Sequence, residues 1–210
     1  MSAGRFITLE GIEGAGKSTV ARLLRDALSR RGLEVILTRE PGGTPLAERV
    51  RQVVLERQGE NVSPAAETLL MFAARAIHLD NLIRPALERG AWVICDRFTD
   101  ATRAYQGAGR GVSRDWIEQL AREVHQRLEP DRTLLLDLPV EEGLARARQR
   151  SGAVATDRFE EESVQFFERV RAGYHSLARS APERIRIIDA SRPLPEVEQQ
   201  ALAALADLIK

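Results

Sequence analysis

One octapeptide constrains the fold of this chain more than any other stretch: Gly11-Ile12-Glu13-Gly14-Ala15-Gly16-Lys17-Ser18, directly after an apolar run at 6–9 and before a helical pattern that begins at Val20. It has the spacing of a phosphate-binding loop: Gly, four residues, then Gly-Lys-Ser/Thr. Glycines let backbone amides turn inward around phosphate oxygens, and a helix starting at the same point aims the positive end of its dipole at them. Lys17 is expected to reach the β- and γ-phosphates of a purine nucleotide and Ser18 to ligate magnesium, with Gly11, Ile12, Glu13, Gly14, Ala15, Gly16 and Thr19 completing the ATP-binding stretch. A plain strand-to-helix turn needs one or two glycines, not three followed by a lysine. That lysine stands out, because the only other one is Lys210 and every remaining basic residue is arginine.

Beyond the loop, strand-length apolar runs recur at 6–9, 35–38, 91–95, 133–136 and 185–188 and lack strict in/out alternation, as strands covered on both faces do. Segments with apolar residues three and four apart lie between them, at 20–31, 45–57, 64–89, 114–128 and 141–150. Ser63 and Pro64 suit a helix cap and first turn. This alternation predicts an α/β chain in the three-layer P-loop NTPase fold, with a five-stranded parallel sheet flanked by helices and ligands beyond the carboxyl ends of the strands. No repeat or linker divides the 210 residues, so 1–210 is read as a single domain.

Basic and acidic residues number 31 each, a balance that speaks against a protein coating nucleic acid through many phosphate contacts. The single cysteine, Cys95, fits a reducing compartment. No segment reaches the roughly 18 to 20 apolar residues of a membrane span, and the start has no leader pattern, so a cytoplasmic protein without a membrane partner is expected.

The other strand exits narrow the chemistry. Asp96-Arg97 follows the third strand, the acid suited to magnesium and the guanidinium to an anion. Arg39-Glu40-Pro41-Gly42-Gly43-Thr44 follows the second. Two arginines converging beyond a γ-phosphate suggest an acceptor that is itself a phosphate, which guanidinium binds as a bidentate fork. A phosphate acceptor is already anionic near neutral pH and needs no general base. His78, His125 and His175 have no metal-ligand spacing and read as structural or surface residues. An Asn-Lys-x-Asp guanine-reading segment is absent, which removes ordinary GTPases.

These residues resemble the bacterial thymidylate kinase family, in its order and over nearly the whole chain. The resemblance runs from Leu9-Glu10-Gly11 through Thr38-Arg39-Glu40-Pro41-Gly42-Gly43-Thr44, Phe72-Ala73-Ala74-Arg75, Asp96-Arg97-Phe98 and Ala104-Tyr105-Gln106-Gly107 with Gly109-Arg110-Gly111. It continues through Pro130-Asp131 and Asp157-Arg158-Phe159-Glu160 to Asp189-Ala190. It implies a transferase that moves the γ-phosphate of MgATP to dTMP, in a homodimer with a short mobile lid at about 146–158. Glu13 then stands at the sugar 3′-hydroxyl, Arg39 and Arg97 at the acceptor phosphate, Arg75 at the base, Thr102 and Gln106 at its polar edge, and Tyr105 beside the deoxyribose. Lys17, Arg97 and Arg150 are the catalytic candidates, and Ser18 and Asp96 the metal ligands.

Two points depart from the family pattern or remain open. Many relatives carry an aromatic residue four positions before the arginine at 75, where this chain has Met71, so either Met71 or Phe72 meets thymine. The loop carries no basic residue at 12, 14 or 15, so the catalytic cation comes from elsewhere; Arg146, Arg148 and Arg150 before 151–156 resemble the bacterial subtype whose lid supplies an arginine, which implies Arg150 as that cation and Arg146 nearer adenine. A kinase for another monophosphate or a deoxynucleoside on the same fold is the alternative, and a nucleotide-binding regulator without turnover a more distant one.

Overall fold

The computed structural model describes residues 4–56, 60–151 and 162–209. Among them, five strands form one parallel sheet in the order β2-β3-β1-β4-β5. These are β1 (Phe6–Glu10), β2 (Val35–Arg39), β3 (Trp92–Asp96), β4 (Arg132–Asp137) and β5 (Ile185–Asp189). The central strand β1 pairs with β3 on one side and β4 on the other. Each strand runs one residue past its apolar stretch and ends on a charged side chain at the carboxyl edge: Glu10, Arg39, Asp96, Asp137 and Asp189.

Helices cover both faces. Helix α1 (Lys17–Ser29) packs with α9 (Leu194–Ala203) against the face carrying Ile7, Leu9 and Ile94. The opposite face carries Phe6, Val93 and Cys95, which meet Leu79, Ile83 and Ala86. The expected helix over 64–89 divides there into α3 (Pro64–His78), a π-helical turn at Leu79–Ile83 and α4 (Arg84–Glu88). Pro85 lacks an N–H and its ring crowds the carbonyl of Asn81, which a widened turn accommodates. Ser63 caps α3 by accepting from the Ala66 amide (3.2 Å), and Thr44 likewise accepts from Ala47 (3.4 Å) at the start of α2 (Pro45–Leu55).

Beyond β3 come α5 (Thr99–Thr102), a π-helical stretch at Arg103–Gly109 and α6 (Arg114–His125). Helix α7 (Val140–Ser151) follows β4, and α8 (Val164–Ser180) packs closely on the stretch at Arg103–Gly109. Helices α8 and α9 complete the layers beyond the segments read from the sequence. A buried polar contact fixes this side of the sheet: Arg184 donates to Asp100 (2.6 Å) and to the Thr133 hydroxyl (2.8 Å), which bonds that of Thr8 (2.7 Å).

Candidate active site

The phosphate-binding loop leaves β1 at Gly11 and enters α1 at Lys17, and two of its glycines are needed for close approach. A Cβ on Gly11 (φ +135°) would strike the carbonyl of Leu136, and one on Gly14 (φ +74°) the carbonyl of Gly143 at the start of α7. The loop is thereby seated between β4 and α7. Ile12 and Ala15 are buried, and the Ile12 carbonyl is turned inward, where it accepts from Lys17 Nζ at 2.8 Å.

A cleft of about 480 Å³ opens at the carboxyl edge of β1, β2 and β3. The loop supplies Glu13, Gly14, Gly16, Lys17, Ser18 and Thr19, and the strand exits supply Arg39, Asp96 and Arg97. Helix α3 adds Met71 and Arg75, and the segment beyond β3 adds Thr102, Tyr105 and Gln106. Residues far apart in the chain are thus brought to one hollow. A second hollow, on the other side of the loop, is lined by Ala15, Gly16, Thr19, Arg146 and Arg192 among others, and there Arg146 Nη1 donates to the Ala190 carbonyl at 2.9 Å.

Arg97 is the most heavily engaged cation in the cleft. Its Nη2 donates to Glu13 Oε1 (2.8 Å) and to the Tyr105 hydroxyl (3.0 Å), and that hydroxyl donates to Glu13 Oε2 (2.6 Å). Its Nη1 donates to the Gly11 carbonyl (2.9 Å) and the Tyr174 hydroxyl (3.3 Å). Lys17 Nζ reaches the same Gly11 carbonyl at 3.1 Å. Burial, followed by the like charge of Arg97, lowers the Lys17 pKa to about 8 against the pull of Asp96, Glu13 and Glu10.

The Ser18 hydroxyl donates to Asp96 Oδ2 at 2.9 Å. The pair offers hard oxygen donors side by side at the loop, a set that suits magnesium held mainly by phosphates and water. No cluster of three or more His, Cys, Asp or Glu side chains that could cage a metal occurs among the described residues.

The base-side candidates separate cleanly. Arg75 is buried between the rings of Phe72 (4.8 Å) and Phe98 (5.1 Å), its Nε donates to Glu40 Oε2 (2.6 Å), and its Nη2 donates to the Thr102 hydroxyl (3.2 Å). Its Nη1 finds no hydrogen-bond partner among the described residues. Glu40 Oε1 lies 3.0 Å from His78 Nδ1, and His78 Nε2 lies 2.7 Å from the Thr38 hydroxyl. Burial works to raise the Glu40 pKa, but Arg75 and His78 outweigh it and hold the carboxyl below its usual value. Met71 faces the cleft, whereas Phe72, one position on and so about 100° round the helix, is buried with Ile117 and Ala121 and does not line it. Gln106 Nε2 donates to the buried Glu67 (2.8 Å).

Arg39 is exposed and pairs with Glu48 at 3.0 Å. Arg150 stands in the last turn of α7, and its side chain, like the lid residues 152–158 and the Asp157-Arg158-Phe159-Glu160 motif, lies outside the described residues. Several contributors carry no local sequence signal. Arg51 lines the cleft and donates to the Pro41 carbonyl (2.8 Å), and Tyr174 reaches Arg97 from 77 residues away. Glu10 ends β1 one place beyond its apolar run, a polar intrusion that would have marked it.

A family model described as thymidylate kinase matches residues 9–201. The chain is 55% identical to the thymidylate kinase of Alkalilimnicola ehrlichii over 209 residues, covering 100% of this chain and 95% of that one. It is 54% identical to the thymidylate kinase of Teredinibacter turnerae, covering 96% and 97%. Among solved structures, the crystal structure of thymidylate kinase from Ehrlichia chaffeensis superposes with a TM-score of 0.77 at 34% identity, covering 97% of this chain and 99% of that one.

Proposed function

The chain belongs to the thymidylate kinase family and is an ATP-dependent phosphotransferase that converts dTMP to dTDP, and we propose that the two hollows flanking its phosphate-binding loop divide that work. The cleft takes dTMP and the transferring phosphate, and the hollow at Arg146 takes adenine. The observation that carries this reading is that Lys17 and Arg97 share the Gly11 carbonyl, so that a donor-side and an acceptor-side cation meet at one point. Phosphoryl transfer between two anions is limited by their repulsion, and cations fixed at the meeting point relieve it.

In this assignment Lys17 spans the β- and γ-phosphates while Arg97 and Arg39 hold the acceptor phosphate. Ser18 and Asp96 hold magnesium, which when bound neutralises charge on the donor phosphates. The acceptor oxygen is anionic, so no proton need be removed and no general base is required. Glu13 accepts from the sugar 3′-hydroxyl, and Tyr105, which donates to Glu13, packs beside the deoxyribose. Met71, the free Nη1 of Arg75, Thr102 and Gln106 surround thymine. Arg150 closes from the lid and excludes water from the γ-phosphate.

Release of ADP measured with dTMP, dUMP, dCMP, dGMP and AMP tests this. Strong preference for dTMP is expected, and preference for another acceptor would overturn the base assignments. We also propose a homodimer acting in the cytoplasm. Leu46 and Val53, seven residues apart on α2, and Leu69 on the neighbouring α3 are each about half exposed (53%, 47% and 50%), an apolar face suited to a second copy. A sedimentation mass of one chain at micromolar concentration would refute the dimer. No described helix is long and apolar enough to cross a membrane.

A further inference from the structure

We propose that Glu10 is a positioning residue that holds Arg97 by both its main chain and its guanidinium. The inference rests on the assignment of Arg97 to the acceptor phosphate. Glu10 is wholly buried at the end of β1, and no cation lies within ion-pair distance of it among the described residues. A buried carboxyl without a paired cation is unfavourable unless its oxygens are hydrogen-bonded, and both are.

Oε1 accepts the backbone N–H of Phe98 at 2.7 Å. Phe98 follows Arg97, whose φ of +71° lies in the left-handed region, a conformation that strains a non-glycine residue. The N–H of Arg97 itself donates to the Leu9 carbonyl at 2.9 Å. The turn that aims Arg97 into the cleft is therefore pinned to β1 at two successive amides, one held by main chain and one by Glu10.

Oε2 accepts from the Tyr174 hydroxyl at 2.7 Å, and the oxygen of that hydroxyl accepts from Arg97 Nη1 at 3.3 Å. Tyr174 spends its one proton on Glu10, which leaves its lone pairs turned toward the guanidinium. Once ionised, the carboxyl at this point can only accept, which forces that polarity. A residue that donated to Tyr174 would let the hydroxyl proton turn toward Arg97, where it would repel an N–H. Among the described residues, each hydrogen bond made by the Glu10 side chain thus ends on the Arg97 turn or on a group that touches the Arg97 tip.

Glu10→Gln keeps an oxygen for Phe98 and replaces the acceptor facing Tyr174 with an amide donor. Tyr174→Phe removes the bridging hydroxyl and leaves Glu10 in place. On the full chain, each variant is expected to raise the dTMP KM and the calorimetric Kd for dTMP about tenfold, with the ATP KM within about twofold of the parent. Because the two changes interrupt one path, the double variant should be no worse than the more damaging single one. Unchanged dTMP constants, effects that multiply in the double variant, or dTMP and ATP constants rising together would each overturn the proposal. If Glu10→Gln does not fold, Tyr174→Phe alone decides by the same split between dTMP and ATP. Arg97→Ala separates the underlying assignment: if it leaves dTMP affinity unchanged, the acceptor-phosphate role fails and Glu10 with it. If it weakens dTMP binding while Glu10→Gln and Tyr174→Phe do not, only the positioning role falls.

Discussion

Lys17 and Arg97 donate to one oxygen, the carbonyl of Gly11, from 3.1 and 2.9 Å. A buried lysine and a partly buried arginine converging on a single carbonyl repel each other, and the site tolerates this because Glu13 and Asp96 lie against them. The same concentration of positive charge is what two phosphates approaching one another require. In the proposed assignment, the oxygen shared by both cations marks the level in the cleft where donor and acceptor meet.

Removing either cation should therefore cost rate far more than fold. Lys17→Ala and Arg97→Ala are each expected to lower kcat/KM by about 10²–10³-fold, with thermal midpoints within a few degrees of the parent. Steady-state kinetics with melting curves on the same preparations check both halves. A variant with parent-like turnover would remove that residue from the transfer step.

Burial, then the like charge of Asp100, raises the Glu10 carboxyl to about 7, only partly offset by Arg97, Tyr174 and the Phe98 amide. A carboxyl raised in the folded state is protonated there over a range in which the unfolded chain has already ionised. Stability therefore falls as pH rises from about 4.5 to about 7, by roughly 3 kcal/mol for this group taken alone. Denaturant unfolding across this range should show a slope that flattens in Glu10→Gln. An equal slope in parent and variant would assign it to other groups.

The strands and the phosphate loop were legible because short apolar runs and a glycine pattern are local signals. The apolar runs stop one residue short of each strand's end, because the final charged residue still has a ladder partner, as Glu10 does in Leu135 and Asp137 in Asp189. Met71 and Phe72 could not be separated from sequence, since one residue of helical phase decides which of them faces the cleft. Tyr174 carries no signal for another reason: it lies on α8, outside the helical segments legible in the sequence, and its partner Glu10 lies 164 residues away. Contacts closed by the fold, rather than by sequence neighbours, left no signal to read.

The buried pair of Arg75 and Glu40 lines the side of the cleft proposed for the base, and breaking it from one side leaves an uncompensated charge. Glu40→Gln is expected to lower the unfolding free energy by about 3 kcal/mol, read from denaturant midpoints at pH 7. The folded-state pKa of Glu40 is depressed, so its contribution is present above the unfolded carboxyl value and lost as pH falls through the folded one. The variant should accordingly show a shallower loss of stability on acidification. A steeper acid limb in the variant would contradict this origin.

Gln106 offers a test of base recognition that depends on which way its amide faces. Its Nε2 donates to Glu67 Oε1 at 2.8 Å, and the same carboxylate oxygen accepts Arg110 Nε at 2.8 Å. A carboxylate paired with arginine accepts and cannot donate, so it holds the amide nitrogen toward itself and leaves the carbonyl oxygen of Gln106 for the cleft. A thymine edge presents an N–H at ring position 3, which such an oxygen can accept. Cytosine presents a lone pair there, which would meet it oxygen-first. Gln106→Leu should therefore lower kcat/KM for dTMP about tenfold to a hundredfold and narrow the preference for dTMP over dCMP. The ratio of dTMP to dUMP should stay the same, because uracil carries the same N–H. A variant that keeps its discrimination against dCMP would move base reading to Thr102 and Arg75.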